Sequence, residues 1–171
     1  MEDVLGELEP YFDDLCEDDE DKIEELHAIF QDHFLDNAFY FEGKQVIVKR
    51  HIYRHERDGL PAHFSRYFEK FVHVVSRTKD RRQGDKHREF RAERANRIHW
   101  IKPILENWND LRISRFRNLE ANGRIRDYFW YKQKSFMVIL EEILPDYILI
   151  TCFCVDRRNY NYFLRKENSG I

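Results

Sequence analysis

The chain has 171 residues, of which 42% are apolar and 15% aromatic, a length and composition suited to one packed domain or a domain with an arm. Charged residues reach 36%, well above the ~25% of ordinary proteins, so the surplus must coat the surface or line a polar site. No apolar run attains the ~18–20 residues of a membrane span, and the start, MEDVLGELEPYFDDLCEDDEDK, is acidic where a secretory signal is basic and then apolar. Three cysteines (Cys16, Cys152, Cys154) do not make a disulfide framework. A membrane protein and a disulfide-stapled secreted domain are thereby set aside, and a cytoplasmic location is expected.

Charge is distributed unevenly. Residues 1–26 carry thirteen Asp and Glu against one Lys, whereas the remainder carries 28 Lys and Arg against 19 Asp and Glu. A basic body attracts a phosphate backbone; an acidic segment covers such a body, binds a basic partner or stays solvated. Residues 1–17 read as an acidic flexible arm, and residues 18–171 as a single domain. In EDDEDKIEELHAIFQDHFLDN the apolar spacing of Ile23, Leu26, Ile29, Phe30 and Phe34 predicts a helix. AFYFEGKQVIVKRH reads as two short strands joined at Glu42-Gly43, and HERDGLP as a loop. Helical spacing returns from about 62 to 75, followed by SRTKDRRQGDKHR, which has no apolar residue and predicts an exposed basic loop. A third helix is expected through EFRAERANRIHW, ending near Pro103.

The last third changes period. LRISRFRNL, RIRDYFWYK, SFMVILEEI and DYILITCFCV are rich in β-branched and aromatic residues and are separated by turns too short for helical crossovers. The expected fold class is therefore α+β, with N-terminal helices packed on one face of a C-terminal four-stranded antiparallel sheet. The final strand is apolar on both faces, which places it centrally.

Chemistry-bearing residues gather in several places. His73 lies between an apolar helix and the basic loop, where an imidazole can exchange protons; a plain polar helix position explains it equally. Arg91, Arg94 and Arg97 form one helix stripe, with His99 and Trp100 beside it. Arg115 and Arg117 share a face of the first strand, and basic side chains interleave with Tyr128, Trp130 and Tyr131, a pairing of phosphate clamps with stacking surfaces used on single-stranded RNA. Thr151 is the hydroxyl in the middle of the last strand, on a face expected to include Tyr147, Leu149, Phe153 and Val155; threonine is also an ordinary strand former there. His51 and His55 are four apart, yet they fall where a strand runs into a loop, so their rings need not converge on zinc. No Walker loop, GxGxxG, GxSxG, HExxH or EF-hand pattern occurs, and no carboxylate cluster suits a two-metal nuclease.

At NRIHWIKPILEN and FMVILEEILPDYILITCFCV the chain resembles the phage- and toxin-associated branch of the barnase–EndoU–colicin–RelE-like (BECR) endoribonuclease fold. The resemblance covers residues 71–77, 97–107 and 136–155, within about 64–155, and departs from that branch at Phe153, where tyrosine is common. It implies a metal-independent endoribonuclease in which the substrate's 2′-hydroxyl attacks the adjacent phosphate and leaves a 2′,3′-cyclic phosphate. His73, Arg97 and Thr151 would be catalytic: His73 exchanging protons, Arg97 neutralising the phosphate, Thr151 orienting an oxygen. Arg77, Arg94, Arg117, Lys132 and Trp100 would bind substrate. No metal and no cofactor is implied; the partners are RNA and an antitoxin or immunity protein, in a toxin or phage-conflict setting. A non-catalytic RNA-binding module and a protein-interaction module remain alternative readings.

Overall fold

Short connectors and alternating side chains drive the last third into hairpins, and a computed structural model, which describes residues 1–54, 58–79 and 87–171, contains them as β5 (Ile113–Leu119), β6 (Ile125–Tyr131), β7 (Phe136–Ile143) and β8 (Asp146–Cys154). Residues 1–8, 38–47 and 100–171 form one unit of the molecule; residues 9–37 and 48–99 form a second.

In the first unit the hairpin at Glu42-Gly43 is formed by β1 (Tyr40–Phe41) and β2 (Lys44–Ile47). Both turn residues take positive φ (48° and 78°), as a two-residue hairpin requires. The expected four-stranded antiparallel sheet is corrected here. The sheet has six strands in the order β1-β2-β8-β7-β6-β5 and is mixed, because β2 runs parallel to β8, with Val46 beside Tyr147 and Ile47 beside Ile148. Alternation reports which face a residue takes and nothing about which strand will dock on a free edge. The edge of β8 has unpaired backbone donors and acceptors, and a segment about a hundred residues upstream satisfies them in either direction.

Helices on one face of the sheet is corrected as well. One face carries Phe116, Tyr128, Trp130, Met137, Ile139 and Phe153, and it packs on Phe163 of a C-terminal helix, Tyr160–Asn168. The other face includes Phe136, which meets Trp100 edge-on at 5.2 Å, next to the short helix Ile101–Glu106. A bulge opposite Ile139/Leu140 leaves Ile150 as the extra residue in β8. Thr151 therefore shares its face with Phe153, while Leu149 and Tyr147 point to the other side.

Residues 1–8, at the start of the segment expected to be a loose arm, are held at several points. Leu5 and Leu8 are buried, Tyr131 donates its hydroxyl to the Leu5 carbonyl at 3.1 Å, and Arg112 grips Asp3.

The second unit is built on α1 (Glu20–Gln31), α2 (Glu69–Val75), the short α3 (Ala92–Ala95), and a two-stranded antiparallel hairpin of β3 (Ser76–Thr78) with β4 (Arg88–Phe90). Ile23, Leu26, Phe30, Phe64, Phe71, Val72 and Val75 fill its core. The helix expected over 62–75 is broken into a 3-10 turn (Ala62–Arg66) and α2, with Tyr67 and Phe68 extended between them. The cause is a competing backbone: Tyr53 N–H donates to Tyr67 O at 2.9 Å, Ile52 bridges Phe68, and Glu69 N–H donates to His51 O at 2.7 Å. The third helix is likewise interrupted after α3. Of the expected basic loop, 76–78 and 88 are strand; its residues 80–86, like 55–57 of HERDGLP, lie outside the described residues.

Candidate functional site

The basic side chains of the sheet close on carboxylates. Arg115 reaches Glu42 with two bonds (2.7 and 3.0 Å) and Asp127 with two more (3.2 and 3.0 Å), its guanidinium lying 4.9 Å from the Phe41 ring and 5.0 Å from Trp108. Arg117 pairs with Glu142 at 2.7 Å and with Asp127 at 3.1 Å. Arg124 and Arg126 both hold the buried Glu141 (3.0 and 2.8 Å), and Lys132 holds Glu167 at 2.9 Å. Asp127 is fully buried, and burial pushes its carboxyl up despite the two arginines. Glu42 goes the other way, its carboxyl held down by the Arg115 hydrogen bonds. These ion pairs are internal, so the sheet cations have their charge matched before any phosphate arrives. Trp100 is 2% exposed and offers no open ring face to a base.

Thr151 donates its hydroxyl to Cys152 O at 3.3 Å in the first unit. His73, Arg77, Arg94 and Arg97 belong to the second. There the carbonyls at the end of α2 collect guanidinium groups, as the negative end of a helix dipole favours. Arg88 donates to Ser76 O (3.1 Å) and His73 O (3.3 Å), and Arg94 to Ser76 O (3.4 Å). Arg77 pairs with Glu89 at 3.2 Å, and Arg97 donates to Glu93 O at 2.8 Å within its own turn. Arg77, Arg88 and Arg94 are thus gathered around β3, with Arg88 and Arg94 serving as caps of α2.

An open groove of about 670 Å³ lies in the same unit, lined by Arg50, His51, Ile52, Arg54 and Glu69. Its carboxylate is shared with His73, whose Nε2 is 3.8 Å from Glu69 Oε1, one helical turn along α2. Tyr53 stands edge-on to the His73 ring at 6.1 Å. Its hydroxyl bonds Asp58, and burial followed by that bond raises its pKa, so it remains a protonated donor. Arg50 is braced by the Leu35 carbonyl. One imidazole, His51, a carboxylate and two guanidinium groups therefore border the groove, and a second imidazole, His73, stands beside that carboxylate. Sequence reading had isolated His73 and His51 and missed Glu69, Arg50 and Arg54. The readable signal was Glu69 four residues before His73 on one helix face; the turn that brings 50–54 alongside had none.

His55 lies outside the described residues, and among those described no group of three or more His, Cys, Asp or Glu could hold a metal ion. Also among them, no helix is long and apolar enough to cross a membrane. Comparison with family models, curated proteins and solved structures returned no match.

Proposed function

We propose that the chain is a metal-independent endoribonuclease whose working site is the groove of the second unit. The observation that carries the reading is the convergence of His51, Glu69 and the adjoining His73 with Arg50 and Arg54 on one open groove. Cleavage by a substrate's own 2′-hydroxyl needs a base for that hydroxyl, cations for the developing phosphorane charge and an acid for the leaving oxygen. His73, with the Glu69 carboxylate 3.8 Å away, exchanges the proton of the 2′-hydroxyl. His51, in the groove lining, serves as its counterpart for the leaving 5′-oxygen, and Arg50 and Arg54 take the phosphate. The motif resemblance supports the same chemistry, and with it the cytoplasm as location and an antitoxin or immunity protein as inhibitor. Arg97 and Thr151 are given no role in the groove: Arg97 donates to Glu93 O and Thr151 to Cys152 O.

The test is cleavage of end-labelled RNA with EDTA present, with the product ends analysed for 2′,3′-cyclic phosphate. His73→Ala is expected to slow cleavage by roughly 10²–10⁴-fold, and Glu69→Gln by less. RNA binding without cleavage would reduce the domain to a binding module. Dependence on a divalent ion, or full activity in His73→Ala, would overturn the mechanism.

A further inference from the structure

The first eight residues pack on the rest of the first unit through a specific set of contacts. Asp3 caps a single helical turn: its Oδ1 accepts the Gly6 N–H at 3.1 Å, and its carbonyl accepts Glu7 N–H at 3.1 Å. The turn sets Leu5 and Leu8 on one side, three residues apart, and they are 2% and 7% exposed. Three polar contacts read the segment from the unit beneath. Arg112 takes the Asp3 carboxylate bidentately (2.9 and 2.8 Å), the Tyr131 hydroxyl takes Leu5 O at 3.1 Å, and Lys134 takes the carbonyls of Gly6, at 3.2 Å, and Leu8.

Two features suit this seat to a second occupant. Arg112 is also held by Asp110, through Nε and Nη2 at 2.9 Å each, so its fork keeps its aim when Asp3 leaves. The segment also fills the seat incompletely: a cavity of about 260 Å³ remains between residues 1–5 and Asn107, Asp110 and Arg112, and Val4 and Met1 project into solvent. A segment with a larger side chain ahead of the aspartate would gain contacts that residues 1–8 leave unmade.

We propose that this surface is a docking socket for a linear protein segment of the pattern Asp-x-Leu-x-x-Leu presented as one helical turn, and that the chain's own residues 3–8 close it in cis until a partner carrying that pattern displaces them. The binding mode is helix-in-groove, with the carboxylate fixing register and the two leucines supplying contact area. Tethering gives the cis segment an effective concentration in the millimolar range, which shields the socket from weak or chance ligands. Nothing in this assignment depends on RNA cleavage, and the two readings fail separately.

The experiment uses the full chain and a fluorescein-labelled synthetic peptide of residues 1–9. The variant Leu5→Ser/Leu8→Ser releases the cis segment; Gly6→Ala loosens it by another route, because a Cβ there meets the Asp3 carboxylate and makes it shift from its place between the Gly6 N–H and Arg112. Cooperative urea unfolding establishes that each variant is folded, and if the leucine variant is not, Gly6→Ala decides alone. Fluorescence anisotropy is expected to show saturable binding at least ten-fold tighter to the released variants than to the parent chain. Adding Arg112→Ala, or using a peptide with Asp3→Asn, should weaken that binding at least ten-fold. Binding to the folded variants no tighter than to the parent, or binding indifferent to Arg112 and to the peptide carboxylate, overturns the proposal.

Discussion

His27 sits against Tyr67, Phe68 and Phe71 with its Nε2 accepting the Phe68 N–H at 3.1 Å, a bond that requires the neutral ring. Burial lowers its pKa to about 4. In the unfolded chain the ring titrates near ~6.5, so between these values the unfolded state binds a proton that the folded state refuses. Its contribution to stability is complete above pH ~6.5 and is lost as pH falls towards 4. After discounting for residual solvent access, about 2 kcal/mol should disappear across that window. His27→Gln, which still offers an acceptor, should remove this share of the pH dependence. Urea unfolding of both proteins at pH 7 and pH 4.5 measures it, and parallel losses in the two would refute the assignment. Asp127 makes the complementary case. Arg115→Ala leaves its buried carboxylate short of a partner and should cost about 3 kcal/mol, whereas Arg115→Ala with Asp127→Leu should recover most of the loss. A double variant as unstable as the single one would mean that Arg115 acts through its contact with the Phe41 and Trp108 rings and not through charge.

At the scale of elements, the hairpin at Glu42-Gly43 isolates a pure backbone effect. Gly43 has φ 78° and nothing within 4 Å of a built Cβ, so Gly43→Ala meets no clash and only the left-handed penalty. The expected cost is about 1 kcal/mol, read as a lower urea midpoint at unchanged slope. That turn was readable in the sequence because glycine chemistry is local. The meander over β5–β8 was readable too, since short connectors leave antiparallel neighbours as the only solution. What the pattern could not carry was non-local. β2 joins β8 through backbone groups that any strand possesses, and the helix over 62–75 breaks because residues 51–53 compete for the amides and carbonyls of Tyr67 to Glu69. The bulge at Ile150 had the same consequence for Thr151: one extra residue reverses the face of everything before it. Site residues divide similarly. His73 and the arginines were visible as residue types, but their partners were not, and the partners decide whether a cation is available.

Among the described residues, much of the charge asymmetry of the sequence is matched pair by pair. Arg112 holds Asp3, Arg66 holds Glu20, and the sheet arginines hold Glu42, Asp127, Glu141 and Glu142. A polyanion spread over an unmatched body of many cations would release many counterions on binding; one held in the groove releases few. If Arg50 and Arg54 contact about two phosphates, the logarithm of the affinity for single-stranded RNA should fall against the logarithm of salt with a slope of roughly −1.4. Arg50→Ala together with Arg54→Ala should bring that slope close to zero and weaken binding irrespective of RNA sequence. Anisotropy titrations at several salt concentrations provide both numbers. A slope steeper than about −4 would require six or so phosphate contacts, more than the groove's two arginines can supply. It would move the RNA to another surface, and the catalytic role of His73 with it.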